Sequence, residues 1–520
     1  MLFRLPFDSR EAARPKGNFT VFGRNKRGPR GPVVWPGAGW VSGRALYYAA
    51  RSAIVCRIVG RNIVFEPGRR SIMRNAMALG LVAFLGAMAE AEPMRVEHRA
   101  DLAEALRQNV SGQLSDLVEF YKDRHAHPEL SLQEAESAGK IAERLERAGF
   151  SVTRNVGGHG VVGVLENGDG PTVLIRGDTD ALPIQEETGV AYRSTVSVPG
   201  SDGRKVGVMH ACGHDVHQTC LVGTASALAA LRDRWRGTVV AIAQPAEEIG
   251  QGALAMIEDG LFTRFPRPDA CIALHVSSEH PAGVVAYTPG WAMANVDSVD
   301  ITVFGEGGHG SRPHDSVDPV AAAAYVVVAL QTIVSRRVDP IEPAVITVGS
   351  IHAGSKHNII PDTAHMQITV RSYTDETRRT LLDGIREVAL HTCRALGCRK
   401  DPQVLIREEE YTPAAYNDPE LTLAGADVLR CVVGEAHVLE DKPTMGGEDF
   451  GRYAKHLDVP GFMFRLGSVS RETYEASRQP GGPKLPPLHS SRYIPDPEPA
   501  IQTGVTCFSA LALSLLARMP

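Results

Sequence analysis

The chain has 520 residues, 43% of them hydrophobic and 22% charged, an ordinary globular composition that excludes wholesale disorder. Its length allows about two to four domains. The formal charge of −5 at pH 7 gives no global basic footprint, so we expect no nucleic-acid partner. Eight cysteines are too few for a disulfide scaffold in a chain of this length.

The first 72 residues differ from the rest in charge. They hold 14 basic and 3 acidic side chains, whereas the remaining 448 residues hold 41 basic and 57 acidic ones. The segment is also dense in Gly, Pro and Arg and lacks sustained hydrophobic periodicity, which is typical of loops or disorder. We therefore interpret residues 1–72 as a basic, disordered extension or as an incorrectly extended gene start.

A signal-like segment occupies residues 73–91. Met73-Arg74-Asn75 precedes 14 uncharged, mostly apolar residues (76–89) that end in Ala87-Met88-Ala89. This is the layout of a secretory signal with an A-x-A cleavage site. We expect translation to start at Met73 and the mature protein to be periplasmic or secreted. The alternative is a basic arm before a buried apolar helix, in a cytoplasmic protein.

No membrane span is expected in the mature form. The apolar run at residues 76–89 is too short to cross a bilayer comfortably, and no other segment reaches the ~18 apolar residues that a membrane helix needs.

From about residue 111 the sequence alternates between helical and strand patterns. Four short runs rich in Val, Ile and Ala lack polar alternation, which indicates strands covered on both faces. They lie at residues 160–165, 172–175, 238–243 and 270–274. A helix predicted at 219–231 fits a crossover between two of them. We predict an α/β fold with a doubly wound, mostly parallel catalytic sheet.

A smaller α+β domain is predicted to interrupt this sheet. Residues 295–407 show a strand–helix–strand–strand–helix–strand order, with helices at 319–335 and 376–396, which is the ferredoxin-like pattern. The doubly wound style then resumes with a helix at 419–433 and a strand at 461–466. The catalytic domain is therefore expected in two parts, residues 111–294 and 408–520.

The apolar runs lead to residues that carry chemistry. Asp178 and Asp180 follow the second run, Glu247 and Glu248 the third, and His275 the fourth. Sites in open α/β sheets form outside the carboxyl ends of strands, so these side chains are expected to converge.

A Cys-Gly-His turn, Cys212 to His214, lies between these runs. Thiolate, imidazole and carboxylate are ligands of transition metals, so we predict a metal site. Two adjacent glutamates are expected to point in different directions, which would leave one free as a general base.

The sequence resembles the dinuclear metal-dependent amidohydrolases, which include hippurate hydrolases, N-acyl-amino-acid aminoacylases and the plant hydrolases of indole-acetyl amino acids. The resemblance covers about residues 111–515 and leaves residues 1–95 unmatched. It rests on seven motifs in order: 178–183, 210–217, 245–248, 307–309, 357–362, 445–450 and 488–490.

The resemblance implies a zinc-peptidase-like catalytic domain and an inserted domain that serves as a lid and for dimerisation. It also implies two divalent metal ions, Zn²⁺ or alternatively Mn²⁺, Co²⁺ or Ni²⁺. The residues that match the family's metal ligands are Cys212, His214, Glu248, His275 and His489.

Five further residues match family positions. Glu247 matches the general base, and Asp180 an acidic residue behind the metal ligands that orients one of them. His309 matches a residue that crosses a dimer interface to steady the oxyanion in the partner's site. Asn358 and Arg371 match substrate-binding positions, and an arginine fork suits an amino-acid carboxylate.

The implied function is hydrolysis of a linear amide, the bond of an N-acyl or N-aroyl amino acid, by a homodimer joined through the lid domain. A dipeptidase or an N-acetyl or N-succinyl deacylase of the same superfamily is the nearest alternative. A non-catalytic binding protein on the same fold is the alternative from another class. The acyl group and the amino acid are not predicted.

Translation from Met73 and cleavage after Ala89 would make Glu90 the first residue of the mature protein. We expect mass spectrometry of the protein from its native source to detect Glu90 as the amino terminus. A peptide from residues 1–72 in the mature protein would contradict this prediction.

Overall fold

The computed structural model describes residues 100–200 and 203–518, which belong to one compact unit spanning residues 92–520. The predicted basic extension and the signal-like segment lie outside the described residues.

The first part of the chain forms the first strands of the larger sheet and the first helices that cover it. Its elements are α1 (Ala100–Ala126), α2 (Ala135–Arg147), β1 (Ser151–Val156), β2 (Gly160–Asn167), β3 (Thr172–Asp178), β4 (Ser197–Pro199), β5 (Lys205–Gly207), α3 (His214–Ala230), β6 (Trp235–Gln244), α4 (Gly252–Glu258), α5 (Leu261–Arg264), β7 (Ala270–Pro281), β8 (Val285–Tyr287) and β9 (Gly290–Met293).

The chain then forms a smaller sheet and afterwards returns to the larger one. The next elements are β10 (Asp297–Phe304), β11 (Gly308–His309), α6 (Pro319–Arg336), β12 (Ala344–Ala353), β13 (Ile359–Ile360), β14 (Thr363–Ser372), α7 (Asp375–Ala395) and β15 (Gln403–Ile406). The last are β16 (Ala415–Asn417), α8 (Pro419–Val433), β17 (Val438–Glu440), α9 (Gly451–Leu457), β18 (Gly461–Val469), α10 (Arg471–Ser477), α11 (Pro497–Leu515) and β19 (Ala517–Arg518).

Within the described residues the large sheet has nine strands, and its central strands β6, β3, β7 and β18 run parallel. Successive residues enter two different cores: Val173 and Ile175 pack with the core that includes α1, α3 and α11, and Leu174 packs with the core under α4 and α9. Helices cover both faces, so the predicted doubly wound, mostly parallel α/β sheet is confirmed.

Strand β2, predicted from residues 160–165, pairs antiparallel with both β1 and β6. It is an antiparallel member of the mostly parallel sheet that the sequence predicts, and the sequence did not indicate which strand that would be. Its unbroken apolar run indicates that both faces of the strand are buried, but burial does not determine whether the strand runs parallel or antiparallel to its neighbours. The connection between β1 and β2 is short, and a short connection allows only antiparallel pairing of these two strands.

Helix α3 begins at His214, five residues before the predicted start. Its first turn carries His214, Asp215 and His217, whose polar side chains show no apolar periodicity and are nevertheless buried. The apolar pattern used for the prediction therefore missed a turn that is enclosed by hydrogen bonds.

The smaller sheet has the strand order β12-β14-β10-β15, and all three of its pairings are antiparallel. With α6 and α7 it builds a separate core that includes Ile301, Val326 and Ile385. This is the order of a ferredoxin-like unit. That it acts as a lid and in dimerisation stays a prediction.

Helix α6 is, among the described helices, the one long and apolar enough to cross a membrane by length and composition. Such evidence is weak, because one face of α6 packs in the core of the smaller sheet through residues such as Val326 and Leu330.

Candidate metal centre

Most of the predicted site residues converge beside three neighbouring parallel strands. Asp178 ends β3 and lies opposite Gln244, which ends β6. His275 lies on the neighbouring strand β7, which continues to Pro281 rather than ending at residue 274 as predicted. Strands β7 and β18 continue to pair beyond His275, so they form a wall beside the site.

Gly213 shapes the turn that carries two of the ligands. Its φ is +75°, and a Cβ on it would lie 2.6 Å from Val276 Cγ2, so glycine is required for both its conformation and its size. The turn leads directly into α3 and presents Cys212 and His214 at the same site. Cys212 Sγ lies 3.6 Å from His275 Nε2.

Two histidines are oriented through the ring nitrogen that faces away from the centre. His214 Nδ1 donates to the carbonyl of Asp180 at 2.8 Å, and His275 Nδ1 donates to the carbonyl of Val276 at 2.7 Å. Both Nε2 atoms are thereby left with a lone pair for a metal ion, the usual arrangement of ligating histidines.

The two glutamates approach the same point. Glu247 Oε2 lies 3.9 Å and Glu248 Oε1 3.8 Å from His214 Nε2. We expected them to point in different directions, and this was wrong. The reason is Ala246, whose φ of +52° turns the chain back after Pro245.

Buried carboxylates hold this unusual turn. The Ala246 amide donates to Glu134 Oε1 at 2.8 Å, and the Glu248 amide donates to Asp180 Oδ2 at 3.0 Å. Ser131 donates to the same Asp180 oxygen at 2.7 Å. No sequence motif pointed to Ser131 or Glu134, because they lie in the loop between α1 and α2, far from the strand ends.

His489 completes the cluster from the carboxyl-terminal part of the chain. Its Nε2 lies 3.5 Å from Glu248 Oε2, and its amide donates to the Ala211 carbonyl at 2.9 Å. Its φ is +66°, so a strained backbone conformation aims this half-exposed ring at the site.

The donor atoms fit two metal ions. Three overlapping sets have atoms within 4.8 Å of one another: Cys212 with His214 and His275, Cys212 with Glu248 and His489, and His214 with both glutamates. His214 Nε2 and Glu248 Oε1 are buried and have no hydrogen-bond partner in the described chain. Such orphaned donors and acceptors are costly unless a ligand satisfies them. Burial also raises the pKa of the Cys212 thiol, so a bound cation would be needed to make it a thiolate.

His217 lies beside this cluster but is not available as a ligand. Its Nδ1 donates to Asp178 Oδ1 at 2.5 Å, and its Nε2 accepts from the Val276 amide at 2.9 Å. Both ring nitrogens are engaged, so His217 serves to position Asp178, whose Oδ2 lies 3.7 Å from His214 Nε2.

Arg176 is the main residue that the motif analysis left without a role. Its fully buried guanidinium donates to Asp178 at 2.6 Å, to Glu448 at 2.9 Å and to Asp449 at 3.0 Å. Three carboxylates exceed one guanidinium in charge, and burial raises the pKa of Asp449 to about 7. The excess negative charge favours cations at the adjacent centre.

A cavity of about 830 Å³ opens beside the donor atoms. Its lining includes Cys212, Glu247, Glu248, His275 and His489, together with Arg371 from β14 and Arg465 from β18. Arg371 is therefore brought to the site, whereas Asp180 acts from behind it.

His309 and Asn358 are placed elsewhere. His309 lies on β11, which pairs with β13, and the Gly310 amide donates to the Asn358 carbonyl at 2.9 Å. Both residues are exposed and neither lines the cavity of its own chain.

Comparison with known sequences matches residues 174–480 to the family described as peptidase family M20/M25/M40. The chain belongs to this family. It is 35% identical to thermostable carboxypeptidase 2 of Saccharolobus solfataricus, over 79% of this chain and 98% of that protein. It is 37% identical to the hippurate hydrolase of Campylobacter jejuni, over 67% of this chain and 88% of that protein.

A solved structure gives the same assignment. The Bacillus subtilis YXEP protein, described as a dinuclear metal binding peptidase from the M20 family, superposes with a TM-score of 0.62 at 30% identity. The match covers 78% of this chain and 99% of that one. The predicted family is thereby confirmed: the protein is a metal-dependent amidohydrolase with a site for divalent metal ions.

Replacing Arg176 with Met should lower the free energy of unfolding by about 3–5 kcal/mol, because three buried carboxylates would lose their shared cation. Urea denaturation of the metal-free protein would measure this. Arg471→Met is the matched control, since Arg471 is exposed and makes one surface ion pair, and its effect should stay within about 0.5 kcal/mol. Equal midpoints for both variants would contradict the prediction.

Proposed function

We propose that the protein hydrolyses the amide bond of N-acyl or N-aroyl amino acids, with Glu247 as the general base. The observation that carries this proposal is the position of the Glu247 carboxylate, which lines the cavity and lies within 4 Å of the metal-facing nitrogen of His214. The similarity to a hippurate hydrolase supports the substrate class.

Glu247 is suited to accept and return a proton. Burial and the nearby Glu448 and Glu248 carboxylates raise its pKa well above the usual range. When bound, the metal ions polarise the amide carbonyl and lower the pKa of water. Glu247 would take the proton of the attacking water and pass it to the nitrogen of the leaving amine.

Arg371 would bind the carboxylate of the amino-acid half. It enters the cavity from the smaller sheet, and its Nε donates to Thr369 Oγ1 at 3.0 Å, which fixes the direction of the guanidinium. A guanidinium fork matches a carboxylate with two parallel hydrogen bonds.

His309 and Asn358 would act on the site of a partner subunit. Their exposure on the β11–β13 ribbon, away from their own cavity, supports this arrangement. The outer face of α6 supplies an apolar surface for a homodimer, since Tyr325 and Val328 are 63% and 68% exposed.

The similarity to thermostable carboxypeptidase 2 supports a second candidate, cleavage of the last residue from a short peptide. The same cavity would serve both, because each substrate has a carboxylate next to the scissile amide. Dipeptides assayed beside hippurate would separate them.

Glu247→Gln should abolish hydrolysis of hippurate, by about 10³-fold or more in kcat, while metal content stays at the wild-type value, because the amide cannot accept the proton. Activity assays with elemental analysis would check this. A variant that keeps near-wild-type turnover would contradict the role of Glu247, and loss of metal would place Glu247 among the ligands.

His309→Ala should lose activity, and mixing it with a Glu247→Gln protein should restore about a quarter to a half of the wild-type specific activity, because a mixed dimer contains one intact composite site. Co-refolding the two variants and assaying hippurate hydrolysis would measure the recovery. If His309 acted within its own chain, the mixture would stay inactive.

A further inference from the structure

Arg465 is a second arginine in the wall of the cavity, and neither the mechanism nor the sequence motifs assign it a role. It lies on β18 in register with His275 of β7, so both side chains leave the sheet on the same face. Neighbouring strands are only ~4.8 Å apart, which places Arg465 beside a metal ligand. Its partly buried side chain lines the cavity.

Among the described residues, no carboxylate pairs directly with this guanidinium, although Glu448, Asp441 and Glu279 act on it from a greater distance. The described hydrogen-bond acceptor for Arg465 is Met293 Sδ, a weak one. Within residues 100–200 and 203–518, neither Arg465 nor Arg371 forms a direct ion pair with a carboxylate. Burial lowers the pKa of both arginines, and the carboxylates at longer range only partly oppose this. A partly desolvated guanidinium without an anionic partner is costly, so a ligand that supplies the anion would recover that energy.

The Gly446–Gly447 segment of the wall lies close to Arg371 and to Met293, the residue that Arg465 contacts. A Cβ on Gly446 would lie 3.0 Å from Met293 Cε, and a Cβ on Gly447 would lie 3.4 Å from Arg371 Nη1. Arg465 thus contacts Met293, which lies close to Gly446, and Arg371 lies close to Gly447. One carboxylate occupies one guanidinium fork, so two forks in one cavity match two carboxylates.

We propose that the preferred amino-acid half of the substrate is dicarboxylic, with Arg371 binding the α-carboxylate and Arg465 the side-chain carboxylate. This rests on the proposed function and names the substrate class within it. Arg465 is then the residue that determines specificity for an acidic side chain.

A matched substrate pair tests the proposal. N-benzoyl-L-glutamate and N-benzoyl-L-glutamine have nearly the same shape and differ in the charge of the side chain. We expect the wild-type kcat/KM to favour the glutamate compound by about 10- to 100-fold, the effect of hydrogen bonds to a charged group. Equal values for the two substrates would overturn the proposal.

Variants then separate the two arginines. Arg465→Gln should bring the ratio of the two kcat/KM values to within about threefold of unity, whereas Arg371→Gln should lower both values and keep the ratio. Lys442→Gln is the charge-matched control, because Lys442 lines the same cavity but is exposed, and it should also keep the ratio. If Arg465→Gln lowers kcat/KM for both substrates in proportion, Arg465 does not discriminate between the two side chains.

Two measures keep the test decisive. Where the Gln variant fails to fold, Arg465→Lys, which keeps the charge without the fork, should reduce the ratio several-fold. Calorimetric binding of both compounds to metal-loaded Glu247→Gln protein reports the preference without turnover. If the wild type hydrolyses hippurate but neither of these compounds, the dicarboxylic preference is wrong and the proposed function stands; if it hydrolyses none of the three, the proposed function fails. Equal dissociation constants in calorimetry would overturn the role of Arg465 separately.

Discussion

The buried guanidinium of Arg176 is the contact on which the rest of the site depends. It joins the end of β3, through Asp178, to Glu448 and Asp449, which the chain reaches only after the smaller sheet. Its Nε also donates to Gln244 at the end of β6, just before the two glutamates. One cation therefore ties together the two parts of a discontinuous sheet and the strand ends that carry the ligands.

The metal centre depends equally on backbone conformations that ordinary residues avoid. Gly213, Ala246 and His489 all have positive φ: Gly213 lies between two predicted ligands, Ala246 directly precedes Glu247, and His489 is itself a predicted ligand. The strain at the two non-glycine positions is held by hydrogen bonds, from the Ala246 amide to Glu134 and from the His489 amide to Ala211. Strained backbone of this kind is concentrated at functional sites, where surrounding contacts fix it.

Much of the fold was predictable because buried strands and helix faces are rich in apolar residues. The apolar runs located β3, β6 and β7, and the alternation in residues 295–407 gave the order of the smaller sheet. Strand direction at β2 was not predictable, since both faces of a strand can be buried in either orientation. The first turn of α3 was missed because its polar residues are buried by hydrogen bonds, not by apolar packing.

The sequence by itself determined the family and the metal-binding chemistry and predicted the donor residues, because these depend on residue types in a fixed order along the chain. Only the tertiary structure decided that both glutamates face His214, that His217 is engaged at both nitrogens, and that Arg465 shares a cavity with Arg371. These facts depend on distances between elements up to hundreds of residues apart. Local propensity and spacing carry no information about such distances, which packing and hydrogen bonding set.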